Sequence, residues 1–405
     1  MSRQPQHVLV IGAGLAGLRT AEQLRSAGFQ GRISLVGAEP HPPYDRPPLS
    51  KQVLSGSWEP EKAVLSTVEA LADLGVRAHL GRRAVALKPG SVELSDGSAL
   101  HADAVVVATG LVPRTLPDQP DRVHTLRTLD DSLALRATLD RVRSLLVVGG
   151  GFIGAEVAST ARDRDIRVTV LEALPVPSAR ALGPELGALA GRLLTEAGVD
   201  LRTEVSLTSL VATDEGPTAV EAQLTDGTRL RAEAAVVGIG GTPALDWIDV
   251  PGVDVGAGLA CGPSGRVHGL PATWAAGDVA LWDDPVTGAR HRHEHWTSAG
   301  DQAAVVARDI LGAEPPPPTV PYFWSDQFGL KIQLVGRTET ADGLLPLHGD
   351  GLDGGPVRGT VVGYLSGDRL VAVAGFGAAR RVARYRALVA ARAPRADAAA
   401  LAATR

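Results

Sequence analysis

The chain has 405 residues, more than one simple core organises, so two or three domains are expected. Its 44% apolar and 21% charged residues are those of an ordinary globular protein, and a net charge of −5 gives no footprint for nucleic acid. The opening MSRQPQH is polar and no apolar run approaches the roughly 20 residues that span a bilayer, so neither a signal peptide nor a membrane segment is expected and a cytoplasmic location follows.

The first stretch with chemistry runs from His7 to Glu39. A short apolar strand, Val8 to Ile11, turns through GAGLAG (Gly12, Gly14, Leu15, Ala16, Gly17) into a helix with apolar residues at helical spacing. A second strand, Arg32 to Val36, ends just before Glu39. In such a βαβ unit Gly12 permits the tight turn, Gly14 lets backbone amides approach a pyrophosphate, and Gly17 lets helix and strand pack closely. Glu39 would accept from a ribose hydroxyl. Next comes the Pro-rich loop HPPYDRPPLSK, ending at Lys51, and then short strands over residues 76–110, the last closing in Ala108-Thr109-Gly110. A linker carrying Pro113, Pro117 and Pro120 follows.

The opening pattern then repeats. Leu145 to Val148 reads as a strand, GGGFIG (Gly149, Gly151, Phe152, Ile153, Gly154) as the glycine turn, Glu156 to Arg162 as helix, and Val168 to Leu171 as a strand ending at Glu172. Two such units, each with its terminal acid, point to two dinucleotide sites. A helix from Pro184 to Ala197 and strands near 199–202, 205–211, 219–224 and 234–239 are expected next, closing in Gly240-Gly241-Thr242-Pro243. Thr273 to Asp278, with Gly277, precedes an apolar helix from about Ser298 to Leu311, and the run Pro315 to Pro318 reads as a linker. The remaining residues alternate apolar and polar and end in a basic helix, Ala378 to Ala391, which suggests a small antiparallel sheet with a helix.

Two dinucleotide sites in one chain suggest a nicotinamide in one and FAD in the other, since a hydride needs an acceptor within contact distance. The chain resembles the FAD-dependent NADH:ferredoxin reductases that serve bacterial oxygenases and cytochrome P450 systems. The resemblance rests on GAGLAG, YDRPPLSK (Tyr44 to Lys51), VVVATG (Val105 to Gly110), VVGGGFIGAEVA (Val147 to Ala158), WAAGDVA (Trp274 to Ala280), EHWTSAGDQ (Glu294 to Gln302) and PYFWSDQFGLKIQLVG (Pro321 to Gly336). It implies an α/β chain with two Rossmann-like dinucleotide-binding domains of glutathione-reductase-like architecture and a small α+β C-terminal domain. The expected domains are FAD-binding (residues 1–110 and 243–318, discontinuous), NADH-binding (111–242) and C-terminal α+β (319–405). The resemblance also implies that the first glycine turn, Glu39, Ala108, Thr109, Gly110, Gly277 and Asp278 hold FAD, with Arg46 and Lys51 over the flavin. Glu294 and His295 would also belong to the cofactor site, and Trp296 and Trp324 would lie beside the isoalloxazine. NADH would take the second turn, Gly240, Glu172 and Arg180, with Glu156 near the nicotinamide and paired with Lys51. A cation near flavin N5 stabilises the reduced flavin's negative charge, and a carboxylate partner orients the lysine. The Glu172 carboxylate would repel a 2′-phosphate, which favours NADH over NADPH.

Cys261 is the single cysteine, so no redox-active pair can relay electrons as in disulfide reductases of the same architecture. The electrons must then leave for an acceptor outside the chain, and a one-electron [2Fe–2S] ferredoxin, docked transiently by electrostatics, fits. The run His291, His293, His295 lacks the further ligands of a metal site, and no metal is expected. Arg380, Arg381, Arg384 and Arg386, with Arg292 and Lys331, are candidates for docking an acidic ferredoxin. A rubredoxin reductase and an NADH-sensing flavoprotein resembling apoptosis-inducing factor are alternatives that share these motifs.

Overall fold

The computed structural model describes residues 4–120, 122–213, 220–284 and 288–404. The chain packs as two compact units, one formed by Met1–Asp45, Glu61–Val112 and Gly241–Thr319, the other by Arg46–Pro60, Pro113–Gly240 and Val320–Arg405.

The first unit centres on a five-stranded parallel sheet in the order Thr273–Ala275, Ala104–Val107, His7–Ile11, Arg32–Val36, Val76–His79. All five residues of His7–Ile11 are buried, as a strand covered on both faces requires. Its side chains alternate. Val8 and Val10 face the helices Leu15–Ser26 and Trp296–Ile310, packing with Leu18, Leu24, Val306 and Ile310, whereas Leu9 and Ile11 face Val92 and Leu94 of an antiparallel three-stranded sheet. The helix expected from Ser298 starts earlier, at Trp296.

The second unit holds another five-stranded parallel sheet, ordered Asp200–Arg202, Arg167–Leu171, Ser144–Val148, Ala234–Val237, Val123–His124. The helix Phe152–Arg162 follows the glycine turn. Its counterpart Ala179–Glu196 starts before the expected Pro184, because Gly183 (φ 74°) breaks the helical path and lets an extra turn join at a kink. The Pro-rich linker leads into an unexpected helix, Leu129–Leu139, opened by a reciprocal capping box between Thr128 and Asp131. Ala219, where the sequence places a strand start, lies outside the described residues; the strand is described from Val220 to Leu224.

Also in the second unit, Tyr322–Gln327, Leu330–Gly336, Arg369–Phe376, Val361–Ser366 and Gly343–His348 form an antiparallel sheet in that order. The single basic helix expected over residues 378–391 is two short ones, Ala379–Arg384 and Arg386–Ala390. The break falls at Tyr385, which is fully buried with its hydroxyl 2.7 Å from His348 Nε2. A further helix spans Arg395–Ala403. Among the described residues no helix is long and apolar enough to cross a membrane.

Candidate cofactor and active site

The two glycine turns obey one steric plan. At Gly12, φ is 116° and an added Cβ would lie 2.1 Å from the Ala108 carbonyl oxygen; at Gly17 it would lie 1.8 Å from the Gly12 carbonyl oxygen. Gly149 and Gly154 repeat this, with an added Cβ 2.3 Å from Gly238 O and 2.0 Å from Gly149 O. Gly14 and Gly151 differ. Each caps a helix start, Leu15–Ser26 or Phe152–Arg162, with no side-chain cap, and an added Cβ meets nothing within 4 Å. The chain's own packing therefore does not require glycine at these two positions. What glycine leaves there is a bare helix N-terminus with open space before it, a cradle suited to the diphosphate of a dinucleotide. On this observation the residues fit both FAD and NADH.

In the first unit, the Tyr44 hydroxyl donates to Glu39 Oε2 at 2.5 Å, holding the acid at the end of its strand. Gly277 (φ 78°) approaches Ala16 so closely that a Cβ would lie 2.8 Å from the alanine methyl, which brings Asp278 beside the first helix N-terminus. Gln302, on the helix Trp296–Ile310, accepts from Gly277 N at 2.7 Å and fixes that approach. Ala108 N donates to Ile11 O, Thr109 Oγ1 donates to Ala244 O at 2.8 Å, and Gly110 (φ 70°) accepts from Ala244 N at 2.9 Å. Trp296 Nε1 donates to Asp45 Oδ1 at 2.7 Å, Glu294 pairs with Arg292 at 2.6 Å, and His295 stands at the N-cap position of the helix Trp296–Ile310 with no side-chain cap.

In the second unit, Glu172 grips its own turn. Oε2 accepts from Gly150 N at 2.9 Å and Oε1 from Leu174 N at 2.8 Å. Arg180 is exposed at the start of Ala179–Glu196, and Gly240 (φ 96°) accepts from Arg114 N at 2.9 Å. Phe152 packs on Phe323 with ring centroids 4.3 Å apart, Ile153 is exposed, and Trp324 stacks on Tyr322 at 5.8 Å. Arg46 Nη1 donates to Arg127 O at 2.5 Å.

A dense polar group in this unit surrounds Glu156, which is 3% exposed. Lys51 Nζ donates to Glu156 Oε2 at 2.7 Å and to Pro47 O at 2.8 Å. Ser50 Oγ donates to Oε2 and Ser325 Oγ to Oε1, each at 2.5 Å. The loop bearing Lys51 is stapled from behind, with Thr160 Oγ1 donating to Ser50 O at 2.9 Å and Ser132 Oγ to Leu49 O at 2.7 Å. The structure thus brings Lys51 and Glu156 together and adds Ser50 and Ser325, which sequence reasoning missed.

Cys261 is fully buried, and burial pushes its thiol far above the ordinary range, so it is a packing residue rather than a nucleophile. The rings of His291, His293 and His295 follow one another at 5.8 and 6.2 Å, and no group of three metal-binding side chains occurs among the described residues. Several proposed docking cations carry local partners: Lys331 pairs with Asp326, Arg384 Nη2 donates to Thr404 Oγ1, and Arg386 reaches Val320 O.

Residues 6–303 match the pyridine nucleotide-disulphide oxidoreductase family and residues 322–405 match the reductase C-terminal family. The ferredoxin reductase component of chlorobenzene dioxygenase from Cupriavidus sp. (strain PS12) is 40% identical over 340 residues, covering 82% of this chain and 81% of that protein. The ferredoxin–NAD(+) reductase component of the anthranilate 1,2-dioxygenase system from Burkholderia cepacia is 35% identical over 402 residues, covering 96% and 95%. The reductase in the covalent putidaredoxin reductase–putidaredoxin complex superposes with a TM-score of 0.90 at 32% identity, over 96% of this chain and 94% of that one. The chain belongs to the pyridine nucleotide-disulphide oxidoreductase family and, within it, to the ferredoxin–NAD(+) reductases of oxygenase systems.

Proposed function

We propose that this protein takes electrons from NADH and passes them through FAD to a [2Fe–2S] ferredoxin that feeds an oxygenase or cytochrome P450, in the cytoplasm. One observation carries the reading: two glycine-capped helix starts stand open for dinucleotides in a chain whose single thiol is buried and unreactive. Bound FAD supplies the conversion of an electron pair into single electrons. No thiol relay is available, so the acceptor is external.

The chain's own residues bind, orient and set charge. Residues 1–110 and 243–318 serve as the FAD-binding domain, 111–242 as the NADH-binding domain and 319–405 as the C-terminal domain. Gly12 to Gly17, Glu39, Ala108 to Gly110, Gly277, Asp278 and Glu294 to Trp296 are assigned to FAD, together with Arg46, Lys51 and Trp324. Gly149 to Gly154, Glu172, Arg180 and Gly240 are assigned to NADH. Lys51 supplies the positive charge that favours the reduced flavin, and Glu156 holds Lys51. The test is optical. The purified holoprotein is expected to be yellow, to bleach with NADH and to regain colour on adding an oxidised ferredoxin. A protein that retains no flavin, or whose bleached form ferredoxin leaves unchanged, overturns the reading.

A further inference from the structure

A buried carboxylate is tolerated when donors satisfy its oxygens, and Glu156 meets that condition from two directions. Lys51 and Ser50 both address Oε2; the donor on Oε1 is Ser325, from the strand Tyr322–Gln327. Two residues along that strand, on the same buried face, Gln327 Nε2 donates to Ser325 Oγ at 2.9 Å. A serine hydroxyl has one proton. With an amide N–H filling its acceptor side, that proton points to the carboxylate, so the donors run one way: Gln327 to Ser325 to Glu156, met from the other side by Lys51. The hairpin is seated on the same helix one turn further on, where Phe328 N donates to Ser159 Oγ at 2.8 Å.

Gln327 is 2% exposed and its Oε1 has no hydrogen-bond partner among the described residues. An unmade bond on a buried amide is unfavourable by about 1–3 kcal/mol. A side chain present for packing alone would be better as leucine, so the amide N–H is what the position uses.

We propose that Ser325 and Gln327 are positioning residues, which fix the Glu156 carboxylate and through it aim the Lys51 ammonium. The proposal rests on the reading of Lys51 as the charge that favours reduced flavin. Lys51 has alternative acceptors close by, Pro47 O at 2.8 Å and Ser50 Oγ at 3.5 Å, so a carboxylate left free to turn would let the ammonium settle elsewhere.

The test uses FAD-loaded protein with the variants Ser325→Ala, Gln327→Leu, Lys51→Ala and the double variant Lys51→Ala/Ser325→Ala. Two quantities are read: the rate of flavin bleaching by NADH in stopped flow and the midpoint potential of bound FAD. A hydrogen bond to a charged group is worth about 1.5 kcal/mol or more, so Ser325→Ala is expected to slow bleaching by on the order of tenfold and move the potential to more negative values. In the Lys51→Ala background the same change should add less than about twofold, because Ser325 acts through Lys51. Gln327→Leu should move both quantities in the same direction with thermal stability kept or raised, and it carries the test if Ser325→Ala fails to fold. An effect of Ser325→Ala undiminished in the Lys51→Ala background overturns the proposal, as does wild-type behaviour of both Ser325→Ala and Gln327→Leu while Lys51→Ala alone changes. If Lys51→Ala itself changes neither quantity, the reading of Lys51 falls, and the proposal with it.

Discussion

Each glycine turn contains two kinds of glycine, and substitution separates them. At Gly17 an added methyl would sit 1.8 Å from a backbone oxygen, a distance that no side-chain rotation can relieve. Gly17→Ala must move strand, turn or helix, at a cost of several kcal/mol against a total stability of about 5–15 kcal/mol, so little native protein is expected. At Gly14 the same methyl meets nothing within 4 Å, and backbone φ is −82°, open to any residue. Gly14→Ala should therefore leave the apoprotein's melting within the roughly 1 kcal/mol that separates alanine from good capping residues. The methyl instead occupies the space before the helix start, and overpacking by one methyl of about 1–3 kcal/mol weakens FAD binding about 5- to 150-fold. The assay is apoprotein thermal melting beside FAD titration by flavin fluorescence, and Gly154→Ala and Gly151→Ala repeat the contrast for NADH. Wild-type FAD affinity in Gly14→Ala would refute the cradle, and a well-folded Gly17→Ala would refute the steric argument.

Ferredoxin reduction should slow steeply as salt is added while NADH bleaching of the flavin does not; equal sensitivity of both steps removes Arg380, Arg381, Arg384 and Arg386 from docking. Cys261→Ala should retain ferredoxin reduction after losing about 1 kcal/mol or less of stability, and a folded but inactive variant would break the claim that no thiol relays electrons. Burial lowers the His7, His79 and His124 imidazoles below their ordinary 6.5, so the unfolded chain binds more protons there than the folded one. Stability is then full above about pH 6.5 and falls as pH drops through the lowered values, which urea melts at about pH 7.5 and 5.5 can check. A midpoint that rises on acidification would contradict the sign.

The glycine turns were legible because their constraint is local: Gly12 and Gly17 face each other across one turn, and the strand, turn and helix lie in consecutive residues. The Lys51–Glu156 pair spans 105 positions and came from a motif resemblance, since a loop lysine and a helix glutamate carry no sign of each other. Ser325 and Gln327 stood in plain view within WSDQ, and strand alternation alone puts them on one face opposite Trp324 and Asp326; what sequence could not supply is the glutamate behind that face. The Leu129–Leu139 helix was hidden by the prolines before it, although Thr128 and Asp131 spell its capping box. Helical periodicity in the basic tail continues through Tyr385 and suggests one helix; the burial of Tyr385, which breaks it, is a property of the tertiary structure alone.

The route of the chain has a consequence for how the protein is made. The backbone passes from one compact unit to the other at 45–46, 60–61, 112–113, 240–241 and 319–320. On the ribosome, Lys51 emerges more than a hundred residues before Glu156 and more than two hundred and seventy before Ser325, so an early segment must wait, unpartnered, for most of the polypeptide. Neither unit is complete when its first segment is, and synthesis halted midway leaves two unfinished cores instead of one finished domain. Fragments for separate study therefore need spliced segments, with Arg46–Pro60 carried alongside the second unit, and cuts at apparent domain edges should give aggregating products.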